Sequence, residues 1–205
     1  MDEQHPARIV VESLGGDERL DRVSRTLEEL ADRLIGDPDG PRARGLRGEW
    51  LGHPVHPMLT DLPIGFWTSA FLLDFGGRRL AAASKLMVAA GLISAIPTAA
   101  AGLADLRDRD ETADRRLGAA HAIANSAALV FYSRSLWHRL RGRRVRGVMS
   151  GLAGAAAATA GGYLGGHLAF GETPTPSAET QTAATAEEAG IVDQQGAALA
   201  MAAGS

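Results

Sequence analysis

Residues 80–103 read LAAASKLMVAAGLISAIPTAAAGL and contain one charged side chain, Lys85. A helix that crosses a bilayer needs about 20 predominantly apolar residues, with a usual range of about 17–25. A surface helix of a soluble protein shows one apolar stripe, whereas apolar side chains occupy nearly every face of this stretch. The stretch therefore predicts a membrane-spanning helix and an all-α membrane protein.

Three more apolar stretches flank this one, at residues 59–75, 117–137 and 148–170. The connections between the four are short, which forces neighbouring helices to run antiparallel. The last stretch is rich in Ala and Gly, and Gly161 and Gly165 lie four residues apart, a spacing that lets helices approach closely. Residues 53–170 are thus predicted to form an up-down-up-down transmembrane bundle of four helices, with Pro63 and Pro97 inside spans.

Two segments outside the bundle have a different composition. Residues 1–52 form an N-terminal arm, in which residues 16–35 carry apolar side chains at helical spacing and predict an amphipathic helix. That helix is expected to pack either on the rim of the bundle or on a partner. Residues 36–48 are rich in Gly, Pro and Arg and indicate a linker. Residues 171–205 have few large apolar side chains, which predicts a disordered tail.

Arginine is unevenly distributed among the connections. The connection at residues 135–147, with its flanks, holds six arginines and no acid, and residues 76–79 include Arg78 and Arg79. The positive-inside rule places such loops in the cytoplasm. We therefore expect a multi-pass protein of the cell (inner or plasma) membrane with both termini outside. A basic loop can also bind nucleic acid, but here its arginines are explained by the orientation of the helices in the membrane. The predicted partner is therefore the lipid bilayer and not nucleic acid.

The residues that are absent exclude several kinds of chemistry. The chain has no cysteine, which removes disulfides, thiolate metal sites and Cys-ligated iron–sulfur clusters. No nucleophile–base pair is recognisable, so an enzymatic activity is not favoured. No inverted repeat supports a transporter.

Four histidines are predicted to meet at one membrane face. His53 and His56 lie in the motif GHPVHP just before the first span, His121 lies near the start of the third, and His167 lies near the end of the fourth. An up-down-up-down bundle brings these positions to the same side. Ionisable and polar residues accompany them there, namely Asp61, a turn into the first span, and Asn125, four residues after His121.

The chemistry of imidazole suggests that this cluster either binds a haem or metal ion or has a structural role. Neutral imidazole is an axial ligand of b-type haem and a common ligand of transition metals. His121 and His167 make a natural axial pair, while His53 and His56 either bind or cap the site and Asp61 orients an imidazole. The alternative is a structural or interaction subunit without a cofactor, whose histidines hydrogen-bond across helices.

The run GHPVHPMLTDLPIG at residues 52–65 resembles a bacterial membrane-protein family known as domain-of-unknown-function family 2231. Further similar segments are PT at 97–98, GLAD at 102–105, HAIAN at 121–125 and GGYLGGHL at 161–168. The resemblance covers residues 15–170 and implies a four-span domain without an assigned activity. Some relatives continue into a Rieske iron–sulfur domain, which implies a redox role. In a chain without cysteine, that Rieske-type or other redox partner would be a separate protein.

Overall fold

A computed structural model describes residues 6–170, within which the chain forms seven α-helices and no strand. The prediction of an all-α fold is confirmed over this range. The chain divides into two units, Met1–Ala169 and Phe170–Ser205, and the features below belong to the first. The tail predicted to be disordered, residues 171–205, lies outside the described residues.

Four long helices dominate the structure: α4 (Val55–Asp74), α5 (Ala81–Arg107), α6 (Thr112–Leu140) and α7 (Arg144–Phe170). The start of α4 contacts the second half of α5, and the end of α4 contacts the start of α5. For example, His56 on α4 hydrogen-bonds near the end of α5, and Ser84 at the start of α5 hydrogen-bonds Asp74 at the end of α4. Neighbouring helices are therefore antiparallel, and most extend beyond the apolar stretches because polar residues continue the backbone hydrogen bonding.

Only α5 among the described helices is long and apolar enough to qualify as a membrane span by composition, with a mean hydropathy of 1.9 over its best window. The other three long helices fall short for different reasons. Helix α4 includes Asp61 and Asp74, and α6 begins and ends with arginines. Helix α7 is apolar but consists largely of Ala and Gly. Composition thus supports one of the four predicted spans directly.

The middle of the bundle is organised around two aromatic rings. Trp67 on α4 stacks on Tyr132 of α6, with ring centroids 4.0 Å apart and an angle of 11° between the planes. Ala70 of α4, Val88 and Ala95 of α5 and Ala128 of α6 complete the buried cluster. Small residues on α5 and α6 let the two large rings fit between the helices.

The N-terminal arm consists of three helices, α1 (Pro6–Gly15), α2 (Leu20–Leu34) and α3 (Pro41–Arg47), and a 3-10 turn at Glu49–Leu51. The interpretation of residues 36–48 as a linker is wrong at 41–47, where α3 forms. Pro41 begins that helix, and Gly48 ends it in a left-handed conformation with φ of 82°. Proline at the first position and glycine after the last are ordinary helix boundaries, so the same residues that suggested a linker delimit a helix.

Ion pairs attach the arm to the start of α6. Arg116 makes two hydrogen bonds to Asp21 at 2.6 and 3.0 Å and holds the pKa of that carboxyl below its usual value. Arg115 pairs with Glu28, and Ser24 donates to the Arg115 carbonyl at 3.1 Å. Of the two partners considered for the amphipathic helix, α2 contacts the rim of the bundle. The arm therefore lies at the end of the bundle where α4 and α6 begin.

Candidate functional site

The first turn of α4 positions His56. Pro57 fits there because the first backbone N–H groups of a helix have no partner within the helix. The half-buried ring of His56 faces α5, where its Nδ1 lies 2.9 Å from the carbonyl oxygen of Thr98. A carbonyl only accepts, so Nδ1 carries the proton and donates. A Cβ at Gly102 would approach the ring to 2.7 Å, so a glycine makes room for His56.

His121 is held in the same way between α6 and α7. Its Nδ1 lies 2.8 Å from the carbonyl oxygen of Gly161 and therefore donates to it. The amide nitrogen of Asn125 lies 3.1 Å from Nε2. A Cβ at Gly165 would come within 2.7 Å of the ring. Glycine on α7 thus lets His121 pack directly against the neighbouring backbone.

The two imidazoles face each other across the bundle. The ring centroids of His56 and His121 are 6.2 Å apart, and the ring planes are nearly perpendicular, at 84°. Each ring donates its Nδ1 proton to a carbonyl of a different neighbouring helix. The Nε2 atoms are consequently the nitrogens with lone pairs, and that of His121 contacts Asn125.

The other predicted site residues take less part in this arrangement. His53 and Asp61 are exposed and His167 is half-buried. In the described part of the chain, none of these three side chains makes a hydrogen bond or an ion pair. Residues 6–170 also contain no group of three His, Asp or Glu side chains close enough to hold a metal ion together. The ring contact of His121 is with His56.

Thr98 also supplies a hydrogen bond that Pro63 removes from the backbone of α4. Pro63 lies inside that helix and has no N–H, so the carbonyl of Leu59, four residues earlier, lacks its helical donor. The hydroxyl of Thr98 lies 3.1 Å from the Leu59 oxygen and 2.9 Å from that of Ser94. In transmembrane helices, a side chain of a neighbouring helix commonly satisfies the carbonyl that a proline frees.

Thr98→Val should lower the free energy of unfolding by about 1–3 kcal/mol, because it leaves the carbonyl of the half-buried Leu59 without a donor. The loss should shrink in a Pro63→Ala background, where the substituted alanine supplies the missing N–H. Thermal unfolding in detergent, followed by circular dichroism, measures both. Thr159→Val is the matched control, since that exposed hydroxyl bonds only within its own helix, to Ala155 at 2.9 Å. Equal losses in the two backgrounds would contradict this explanation.

Sequence reasoning missed a second polar cluster, at the arginine-rich end of the bundle. Arg139 on α6 makes paired hydrogen bonds to Asp74 at the end of α4, at 2.8 and 2.7 Å. Ser84 donates to the same carboxylate at 2.9 Å, and Ser135 joins Arg139 to the Gly147 carbonyl of α7. The side chains of Arg139 and Asp74 are only 6 % and 9 % exposed. The sequence did contain a signal for this cluster. Asp74 lies near the end of the first apolar stretch, at the end of the predicted bundle where the connection at residues 135–147 carries arginines and no acid.

Comparison with known proteins identifies a family that this chain matches. The model of a family described as "Predicted membrane protein (DUF2231)" matches residues 52–173, which include α4–α7 and the paired histidines. No curated protein and no solved structure matches the chain. The sequence resemblance to this family is confirmed.

Proposed function

The chain belongs to DUF2231, a family of predicted membrane proteins, and on that premise we propose that α4–α7 span the membrane and that His56 and His121 bind a haem iron or another transition metal. A redox-associated membrane subunit is the role that such a site best fits. As the chain has no cysteine, it carries no Cys-ligated cluster. A Rieske-type or other redox partner would be a separate protein.

The surface of the bundle supports four spans. Each long helix exposes large apolar side chains, for example Leu72 on α4, Ile93 on α5, Val130 on α6 and Met149 on α7. Hydrocarbon chains solvate such side chains at no cost, whereas water does not. The polar residues that lower the hydropathy of α4 and α6 include Asp74, Arg139 and Ser135, which bond to one another inside the bundle. Inward-facing, paired ionisable groups are what a membrane helix tolerates.

The charge of the connections supports the predicted orientation. Arginines at the end of α5 and the start of α6 are paired with acids, as in Arg107 with Asp32 and Arg116 with Asp21. At the other end, Arg78, Arg79, Arg143 and Arg146 make no ion pair among the described residues. Residues 76–79 and 135–147 are therefore proposed to be cytoplasmic. The paired histidines and the N-terminal arm then lie at the outer face of a cell membrane.

One observation carries the metal proposal: two half-buried imidazoles from different helices lie 6.2 Å apart, and each is held through Nδ1 by a backbone carbonyl. Metal-binding histidines usually donate their other ring N–H to a carbonyl or carboxylate, which fixes the ring and raises its basicity. Imidazole nitrogens bind transition metals at about 2.0 Å. His56 and His121 would hold one such ion between their rings through the Nε2 atoms that their backbone hydrogen bonds leave unprotonated.

The number of ligands favours particular metals. A structural zinc site needs four protein ligands, whereas the described residues bring two imidazoles together. Haem iron takes four ligands from its macrocycle and needs only two axial ones from protein. Haem iron and copper, which imidazole also suits, are therefore the proposed metals.

The purified protein should show the metal directly. We expect iron or copper by elemental analysis, or a Soret band that shifts on adding dithionite, in protein isolated in detergent or after hemin is added. Heat-denatured protein given the same hemin is the control for adventitious binding. Failure to detect either signal above that control would refute the metal site.

A structural subunit without a cofactor is the second candidate, favoured by the contacts of His121. Both ring nitrogens of His121 have partners within the chain, at Gly161 and Asn125, and the ring packs on Gly165. In this role His56 joins α4 to α5 and His121 joins α6 to α7. Alanine at either position would then lower the unfolding temperature and change no spectrum.

A further inference from the structure

A cavity of about 130 Å³ lies between α4 and α7 towards the arginine-rich end of the bundle. The stacked rings of Trp67 and Tyr132 line it together with Ala155, while Phe71 of α4 and Leu152 of α7 line it and are themselves exposed. The cavity therefore opens sideways between two helices that face the bilayer in the proposed orientation. Its lining is mostly apolar.

Charge collects at one end of this cavity. Asp74 and Arg139 line it, and Arg144 lies 3.7 Å from the Asp74 carboxylate. One carboxylate thus faces two guanidinium groups. The Nε of Arg144 is buried and has no acceptor among the described residues, although about a third of its side chain is exposed. Residues 76–79 and 141–146 add further arginines and no acid, so the excess charge around the opening is positive.

We propose that this cavity binds an acyl chain of an anionic phospholipid whose phosphate pairs with Arg144. The proposal rests on the membrane-spanning role of α4 and α7 and is independent of the histidine site. An apolar lateral opening suits a hydrocarbon chain, and the excess positive charge around Arg144, which shares the Asp74 carboxylate with Arg139, suits a phosphate. A free anion would leave the apolar walls unused, and a neutral lipid would leave the positive charge unmatched.

Lipid retention tests this proposal. The full chain is reconstituted in vesicles of phosphatidylcholine with a minor share of phosphatidylglycerol, re-extracted, and its retained lipid is measured by mass spectrometry. We expect phosphatidylglycerol to be enriched relative to the vesicles. Arg144→Gln should lower that enrichment about fivefold, the usual effect of one basic residue near a membrane surface. Ala155→Leu should lower it as well, by filling the cavity.

Two variants serve as matched controls. Arg141→Gln removes an exposed arginine of the same connection, one that stacks on Trp137 at 3.7 Å, and Ala156→Leu enlarges the adjacent exposed residue. Both should retain lipid as the wild type does. Absence of enrichment in the wild type, or equal losses in all four variants, would overturn the proposal. Release of the protein from membranes by alkaline carbonate would instead show that the membrane-spanning premise fails.

Discussion

Replacing Arg139 with Gln is expected to lower the free energy of unfolding by up to about 3–5 kcal/mol, because the buried Asp74 would lose its hydrogen-bonded guanidinium and keep only Ser84 and the more distant Arg144, at 3.7 Å, as partners. The arginine makes paired hydrogen bonds to Asp74 at 2.8 and 2.7 Å and bonds Ser84 and Ser135 as well. Its removal therefore breaks the hydrogen bonds that join α6 to α4 and to α5 at this end of the bundle. Unfolding in detergent, by heat or by added dodecyl sulfate, measures the loss through circular dichroism.

Two further variants separate the ion pair from loss of charge in general. Arg141→Gln removes an exposed arginine two residues away and should cost little. The double variant Asp74→Asn with Arg139→Gln leaves no buried carboxylate without its partner, only Arg144, whose side chain is one third exposed, and should recover part of the stability. Equal stability of the Arg139 and Arg141 variants would show that the cluster does not hold the bundle together.

Alanine at His56 or at His121 should reduce metal or haem binding by well over tenfold, since removing a ligand costs more than the 10–100-fold loss typical of an outer-shell change. Alanine at His53 or His167 should leave binding within a fewfold of wild type, because those side chains contact neither ring. Hemin titration followed at the Soret band, or metal content per chain, measures all four variants.

The unfolding temperature of each histidine variant must be measured together with its metal or haem binding. His121→Ala also removes the hydrogen bond to Gly161, so a lower unfolding temperature accompanies any loss of metal. Asn125→Ala tests whether the amide competes for Nε2 of His121: it should leave binding intact or strengthen it. Equal loss in all four histidine variants would show that binding depends on the fold and not on the pair.

The sequence predicted α2, the four long helices and which of their ends meet, because these depend on local patterns, but it did not predict α1 or α3. Apolar stretches long enough for a span, with short connections, predict antiparallel helices, and this placed His56 and His121 at one end. It did not predict that they face each other. Successive side chains rotate about a helix axis by about 100°, so facing residues depend on packing that glycines such as Gly102 and Gly165 permit.

The Asp74–Arg139 cluster shows a different limit of sequence analysis. Arg139 is one of six arginines in and around residues 135–147, and the positive-inside rule accounts for all six as determinants of topology. Nothing in the neighbouring sequence distinguishes Arg139 from Arg141. The structure separates them by rotation about α6: Arg139 points into the bundle towards Asp74, 65 residues away, while Arg141 stacks on Trp137 at the surface. Contacts over such a sequence separation leave no periodic pattern.

X-ray absorption at the metal edge of the purified wild-type protein tests the central claim most directly. The paired-histidine site predicts nitrogen scattering at about 2.0 Å from the metal, with the outer-shell scattering of two imidazole rings. The His56→Ala protein should lose one of these rings. A protein without metal, or a metal surrounded by oxygen ligands with no imidazole scattering, would contradict the assignment of His56 and His121 as ligands.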